Sequence, residues 1–213
     1  MSTEERVRNP VFARIYERLS VQVEDAGQAE HREELLAGLS GRVVEVGAGN
    51  GLNFPHYPTE VEEVVAVEPE PYLRERAERA AATAPIPVRV LDGVSGRLPL
   101  EDASVDAGVF SLVLCSVPSQ AAALGELRRV LRPGGELRFY EHVRSQRAGF
   151  ARLQRAADVV WPHVAGGCHT YRDTVRAIER AGFEIDTCRR FSFRPSALVA
   201  PAAPHVLGRA RRP

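Results

Sequence analysis

Three acidic residues, Glu45, Glu68 and Asp92, each stand at the end of a short run of β-branched and aliphatic residues. The first is enclosed in VVEVGAGNGLNF, residues 43–54, where Gly47, Gly49 and Gly51 follow the valines. A glycine-rich turn after a buried strand is the usual seat of a nucleotide, because glycine lets backbone approach a ligand closely. The dinucleotide fingerprint needs G-x-G-x-x-G, but here the spacing is G-x-G-x-G and Leu52 takes the sixth position. A P-loop needs a lysine after its turn, and this chain has none.

Glu45 lies two positions before the first glycine, at the carboxyl end of its strand, where open α/β sheets bind ligands. A carboxylate there repels a pyrophosphate and suits an ammonium and a sulfonium, the two charges of S-adenosylmethionine (SAM). Glu68, closing VVAVEPEP, is expected to accept both ribose hydroxyls, with Pro69 after it starting the next helix. Asp92, in VRVLDG, is placed to accept from an adenine amino group. Gly93, Ser111 and Leu112 complete the expected cofactor-binding set. One acid at a strand end is ordinarily a helix cap; three on successive strands point to a ligand without phosphate. SAM is therefore the expected cofactor, with S-adenosylhomocysteine as its product.

The elements that must position these residues are strands and helices in alternation. RVVEV, EEVVAV, VRVL, DAGVF and ELRFYEH read as strands, and PYLRERAERAAA and SQAAALGELRRVL as helices between them. That order means a parallel α/β sheet, Rossmann-like, with helices on both faces. Two more helices, at 148–162 and 170–181, precede FEIDTCRRFSF and a last extended segment, and the tail RARRP reads as loose. At the other end, Asn9 before Pro10 is an N-cap followed by proline at the first helical position. Phe12, Ile15, Tyr16 and Leu19 then share one helical face, and a second helix is expected from about Asp25 to Leu39. Residues 1–40 read as a helical segment, a lid over the acceptor, and 41–213 as the catalytic part of a single domain.

Composition narrows the partners. With 28 basic and 28 acidic residues the formal charge is zero, which argues against a nucleic-acid partner held by bulk charge. All 28 basic residues are Arg. No run approaches the ~20 apolar residues of a membrane span, and MSTEERVRNP lacks a signal peptide's apolar core. Cys115, Cys168 and Cys188 form no CxxC pair, which fits a reducing cytoplasm better than a disulfide framework or a zinc site. No metal is expected, and the oligomeric state is open.

As a set, EVGAGNG, AVEP, LDG, LPLEDASVDAGV and LRRVLRPGGEL resemble the motifs of class I SAM-dependent methyltransferases, over most of residues 42–142. LVLCSV, LRPGGELRFYEHV, WPHVAGGC and PHVLGRA resemble more narrowly the alkyl thiol S-methyltransferases of the methyltransferase-like group, over residues 41–210. That resemblance implies methylation of small thiols. Its membrane-bound members begin with an apolar anchor, whereas this chain begins with charged helices. Another departure is VSGRLP after the third motif, a longer link than is usual in the wider class.

Methyl transfer from a sulfonium is an in-line displacement that depends on holding the acceptor close to the methyl. His142, at the end of strand five beside Glu141, is the first candidate base, because imidazole titrates nearest neutrality. His169 is the second; the competing reading makes it a helix cap. Cys115, Tyr16 and Trp161 are expected to line the acceptor site, although each also suits ordinary core packing. Two other readings stay open: an O- or N-methyltransferase of a quinol, natural product or phospholipid amine, and a SAM-binding protein without turnover.

Overall fold

The computed structural model describes residues 10–213; the expected cap at Asn9 lies outside them. Seven strands form one sheet in the order β3-β2-β1-β4-β5-β7-β6. They are β1 (Gly41–Val46), β2 (Val61–Val67), β3 (Val88–Leu91), β4 (Val105–Ser111), β5 (Leu131–His142), β6 (Glu184–Ser192) and β7 (Pro204–Arg211). The first five are parallel, while β7 runs antiparallel between β5 and β6. The helices are α1 (Pro10–Val23), α2 (Ala29–Leu36), α3 (Pro71–Ala81), α4 (Gln120–Val130), α5 (Ala148–Ala157), α6 (Trp161–Val164) and α7 (Thr174–Arg180).

Strand alternation divides the core. Val44 and Val46 of β1 pack with Phe110, Leu124, Leu127 and Ile178 under α4 and α7. Val43, one residue out of phase, packs with Leu35, Leu36, Phe54 and Tyr57 under α2. Covered on both faces, β1 and β2 read as near-continuous valine. Helix starts are set by caps at the carboxyl ends of the strands. Glu70 accepts from the Leu73 amide (2.9 Å) before Pro71, so α3 starts two residues after Pro69. Ser119 accepts from the Ala122 amide (3.2 Å) at the head of α4.

Several expected boundaries differ. α1 and α2 run together through a π-helical turn at Glu24–Gln28, kinked where Gly27 adopts φ +107°. α2 stops at Leu36, and Gly38 follows at φ +75°. The expected 148–162 helix breaks after Ala157 and restarts as α6, whose second residue is Pro162. The tail is not loose: Arg209 and Arg211 lie in β7 opposite Arg138 and Glu136. Arg212 continues the pairing, its amide donating to the Gly135 carbonyl at 2.8 Å.

α4 approaches the sheet closely at Gly108, where an added Cβ would stand 2.2 Å from Leu127 Cδ1. Gly108→Ala is expected to destabilise by about 1–3 kcal/mol through overpacking, and Leu127→Ala by about 2–5 kcal/mol through the cavity it leaves. Because the two atoms compete for one space, the double variant should be more stable than the sum of the single losses implies. Urea denaturation of all four proteins checks this.

Candidate active site

The carboxyl ends of β1, β2, β4 and β5 open into a cavity of ≈ 1110 Å³ that α1 closes from above. That exceeds the few hundred to about 1,000 Å³ of typical ligand pockets. Gly47, Gly49, Glu68, Pro69, Gly93 and Leu112 line one end. Tyr16, Cys115, His142 and Trp161 line it as well. Glu45, Gly51, Asp92, Ser111 and His169 stand outside this lining.

Period-two alternation explains Glu45. It shares a face with Val43, so its side chain enters the α2 layer, where it is 2% exposed. Its oxygens accept from Asn53 Nδ2 and Tyr57 OH, each at 2.8 Å. Burial pushes this carboxyl up to about 7 against those two hydrogen bonds. Arg32 extends the network: Nη1 donates to Asn53 Oδ1 (2.7 Å) and Ser111 Oγ (3.2 Å), and Nε to Glu24 Oε2 (2.9 Å). Glu45 and Ser111 thus brace the glycine turn from behind. Gly51 has a packing role, since an added Cβ would meet Phe54 at 2.8 Å.

At the turn itself, Gly47 and Gly49 have φ of +73° and +57°, where a side chain is strained. A Cβ on Gly47 would stand 2.6 Å from Val113, and one on Gly49 3.5 Å from Tyr16. Glu68 reaches back across the turn, accepting from the Gly49 amide (2.8 Å) and the Glu70 amide (2.9 Å). Burial raises its pKa despite both donors. Asp92 points to solvent, its side chain 59% exposed and paired with Arg74 at 3.0 Å. Gly93, Val94, Ser95 and Gly96, in the longer link after the third motif, line the cavity instead.

The opposite end is built on Glu141, which is fully buried. Its carboxylate accepts from the amides of Val113 (2.9 Å), Leu114 (2.8 Å) and Cys115 (3.1 Å). Burial pushes it up to about 7 against those three donors. Leu112 precedes this loop at φ +61°, its amide held by the Tyr140 carbonyl at 2.7 Å. Arg172 closes the other side, donating to the carbonyls of Leu114 and Val117 at 2.7 Å each.

His142 Nδ1 faces two sulfurs, Cys115 at 3.5 Å and Cys168 at 3.4 Å. The hydrogen bond to Cys168, with burial, pushes the Cys115 thiol well up, whereas Cys168, receiving it and facing His142, is pulled well down. Burial opposes charge on His142, but Cys168 and Glu141 outweigh it and raise its pKa. His169 does not join them. Its ring is held by Asp158 (Nδ1 to Oδ2, 2.8 Å), and its amide donates to the Cys115 carbonyl at 2.8 Å. Its part is to tie two loops together. Cys168, dismissed on sequence spacing, and Arg172, not singled out, are the residues that reading missed; the two glycines before Cys168 were the available signal.

Among the described residues no Arg lines the cavity, and Glu68 and Glu70 do. That donor set fits a cationic, phosphate-free cofactor and not a nucleotide phosphate. Comparisons with known proteins agree. A model described as a methyltransferase domain matches residues 44–139. A SAM-dependent methyltransferase of Thermotoga maritima shares the fold at TM-score 0.71 and 24% identity, over 95% of this chain and 97% of its own. A geranyl diphosphate methyltransferase in complex with SAM superposes at 0.68 and 19% identity, over 88% and 85%. Fold and site together define a class I SAM-dependent methyltransferase.

The relatives narrow it further. Thiol S-methyltransferase TMT1B of Homo sapiens is 36% identical over 182 residues, 82% of this chain and 73% of its own. The Mus musculus protein is 37% identical over 183 residues with the same coverage. The chain belongs to the family of SAM-dependent methyltransferases that these thiol S-methyltransferases represent. Among the described residues no helix is long and apolar enough to cross a membrane.

Glu141→Gln tests the brace. An amide side chain keeps the shape but turns an NH₂ toward backbone donors, leaving at least one buried amide unsatisfied. A loss of about 1–3 kcal/mol is expected, measured by urea denaturation; unchanged stability would mean that the loop is held elsewhere.

Proposed function

We propose that the protein transfers the methyl group of SAM to the sulfur of a small thiol. The observation that carries this is the continuity of one cavity from the glycine turn and Glu68 to Cys115, His142 and Trp161, with Phe12, Ile15, Tyr16 and Leu19 of α1 as its wall. The relatives named thiol S-methyltransferases favour sulfur over oxygen or nitrogen as the acceptor.

SAM supplies an electrophilic methyl on a sulfonium. The chain's residues hold the two reactants in line and exclude water, which supplies on the order of 7–11 kcal/mol in well-oriented reactions. Gly47 and Gly49 give close backbone approach, and Glu68 takes the ribose hydroxyls once its carboxylate turns from the Gly49 and Glu70 amides. A free thiol with a pKa near 8.5 is only a few per cent ionised at neutral pH. The acceptor's proton must therefore leave at the Cys115–His142–Cys168 end, and His142 is the residue assigned to assist it. Product thioether and S-adenosylhomocysteine are both less charged at the reacting sulfur than the reactants, which favours their release.

Two measurements check this. Glu68→Ala should weaken SAM binding on the order of tenfold or more in calorimetry, the value of at least one hydrogen bond to a charged group; unaltered affinity removes Glu68 from the site. S-adenosylhomocysteine release should occur with a small alkyl thiol or sulfide and not with a phenol, quinol or phosphatidylethanolamine. In that assay His142→Ala should lower kcat on the order of 10²-fold or more while SAM affinity stays. Release with the oxygen or nitrogen acceptors alone would overturn the thiol assignment.

A further inference from the structure

Cys115, His142 and Cys168 come from three different loops and strand ends, yet Cys115 Sγ, His142 Nδ1 and Cys168 Sγ all lie within 4.8 Å of one another. We propose that these three side chains form a zinc site with its fourth position open to the cavity, where the acceptor thiol binds as a thiolate. The inference rests on the thiol reading and specifies how His142 assists loss of the proton: as a ligand to the cation, not as a free base.

Distances support it first. Zn–S near 2.3 Å and Zn–N near 2.0–2.1 Å at tetrahedral angles put sulfur and nitrogen about 3.5 Å apart. The two S···Nδ1 separations, 3.5 and 3.4 Å, match that figure. The two sulfurs, within 4.8 Å of each other, need close by no more than about 1 Å to reach the ~3.8 Å of two tetrahedral Zn–S bonds. The ligands are also held by backbone. Glu141 fixes the Cys115 amide, and the His169 amide fixes the Cys115 carbonyl at 2.8 Å, locking the Cys168 loop against it. Gly167, at φ +83°, permits that approach: a Cβ there would stand 3.1 Å from the Ser116 carbonyl oxygen.

Donor chemistry selects the ion. Two sulfurs and an imidazole suit zinc over magnesium or calcium, which take oxygen ligands. Three protein ligands with an open fourth position are the pattern of reactive zinc, whereas structural sites are closed by four. All three residues line the ≈ 1110 Å³ cavity, so the fourth position faces the space assigned to the acceptor.

Charge then favours the reaction. Zinc with two thiolates and a neutral imidazole has no net charge, so the cavity gains no cation to repel the sulfonium. Binding of R–SH forms the Zn–S bond, releases one proton to solvent and leaves the site at −1 beside the sulfonium. A lone pair of that sulfur attacks the methyl carbon, the methyl–sulfonium bond breaks, and its electron pair stays on S-adenosylhomocysteine. The product R–S–CH₃ is a neutral, weak ligand and leaves.

The test uses the full chain, stripped with chelator and reloaded with zinc, or with cobalt(II) as the spectroscopic probe. The expected result is one metal per chain and near-ultraviolet thiolate-to-cobalt absorption. That absorption should fall on Cys115→Ser and on Cys168→Ser, stay on Cys188→Ser, and rise when a small alkyl thiol is added. Affinity should drop on the order of 100-fold with either ligand serine, since even outer-shell changes cost about 10–100-fold. No retained metal, or absorption indifferent to both serine variants, overturns the site. Thiol methylation by metal-free protein at the loaded rate overturns the acceptor role while keeping the thiol reading. A loaded site with no thiol turned over removes the thiol reading and, with it, the acceptor role.

Discussion

The Cys115–His142 end of the cavity depends on one carboxylate. Glu141 has no exposure and takes three successive amides, those of Val113, Leu114 and Cys115. Each is a buried donor that would otherwise lose about 1–3 kcal/mol of hydration without recompense. Arg172 does the same for the carbonyls of Leu114 and Val117. A loop without regular structure is thereby satisfied by two side chains of opposite sign, with Gln120 Nε2 also donating to the Leu114 carbonyl at 3.1 Å, and its shape follows from the register of β5. Shift β5 by one residue and Glu141 would change faces with every neighbour.

The glycine-turn end is organised on the opposite principle. There Gly47, Gly49, Gly93 and Gly96 line the cavity beside Glu68, and the buried Glu45–Arg32 network stands behind them. Glu45, Asn53, Arg32 and Glu24 form a chain of hydrogen bonds from the turn under β1 to the kink between α1 and α2. The rigidity of the turn and the position of α1 over the cavity are therefore set by the same buried network. Among the described residues no guanidinium lines the cavity, and the nearest to Glu68, that of Arg74, is held behind it on the Glu68 carbonyl and Asp92.

Much of this was legible from pattern alone. Continuous valine runs announced β1 and β2, and the G-x-G-x-G spacing with no following lysine identified a turn unsuited to phosphate. Side-chain direction was not legible. Glu45, Glu68 and Asp92 look alike in sequence, but alternation sends Glu45 to the α2 layer and Asp92 outward to Arg74, and only Glu68 lines the cavity. Linear spacing also hid the gathering of Cys115, His142 and Cys168, because it depends on β4 and β5 lying side by side and on the Cys115–His169 backbone contact. The tail RARRP looked loose for a related reason: arginines on an edge-proximal strand carry no apolar alternation strong enough to show that Gly208 and Ala210 pack inward.

The place of β7 has a consequence for how the chain is made. It is the last strand of the fold and also an interior one, flanked by β5 and β6. On the ribosome, β1 to β5 can assemble in order, but β6 must wait for a neighbour that has not yet emerged. Until then the outer edge of β5 offers unpaired amides and carbonyls to any strand that comes near. β6 and β7, consecutive in the chain and antiparallel to each other, can join that edge only as a pair. During synthesis that edge stays open to mispairing until β7 arrives, and a holdase would act there to greatest effect.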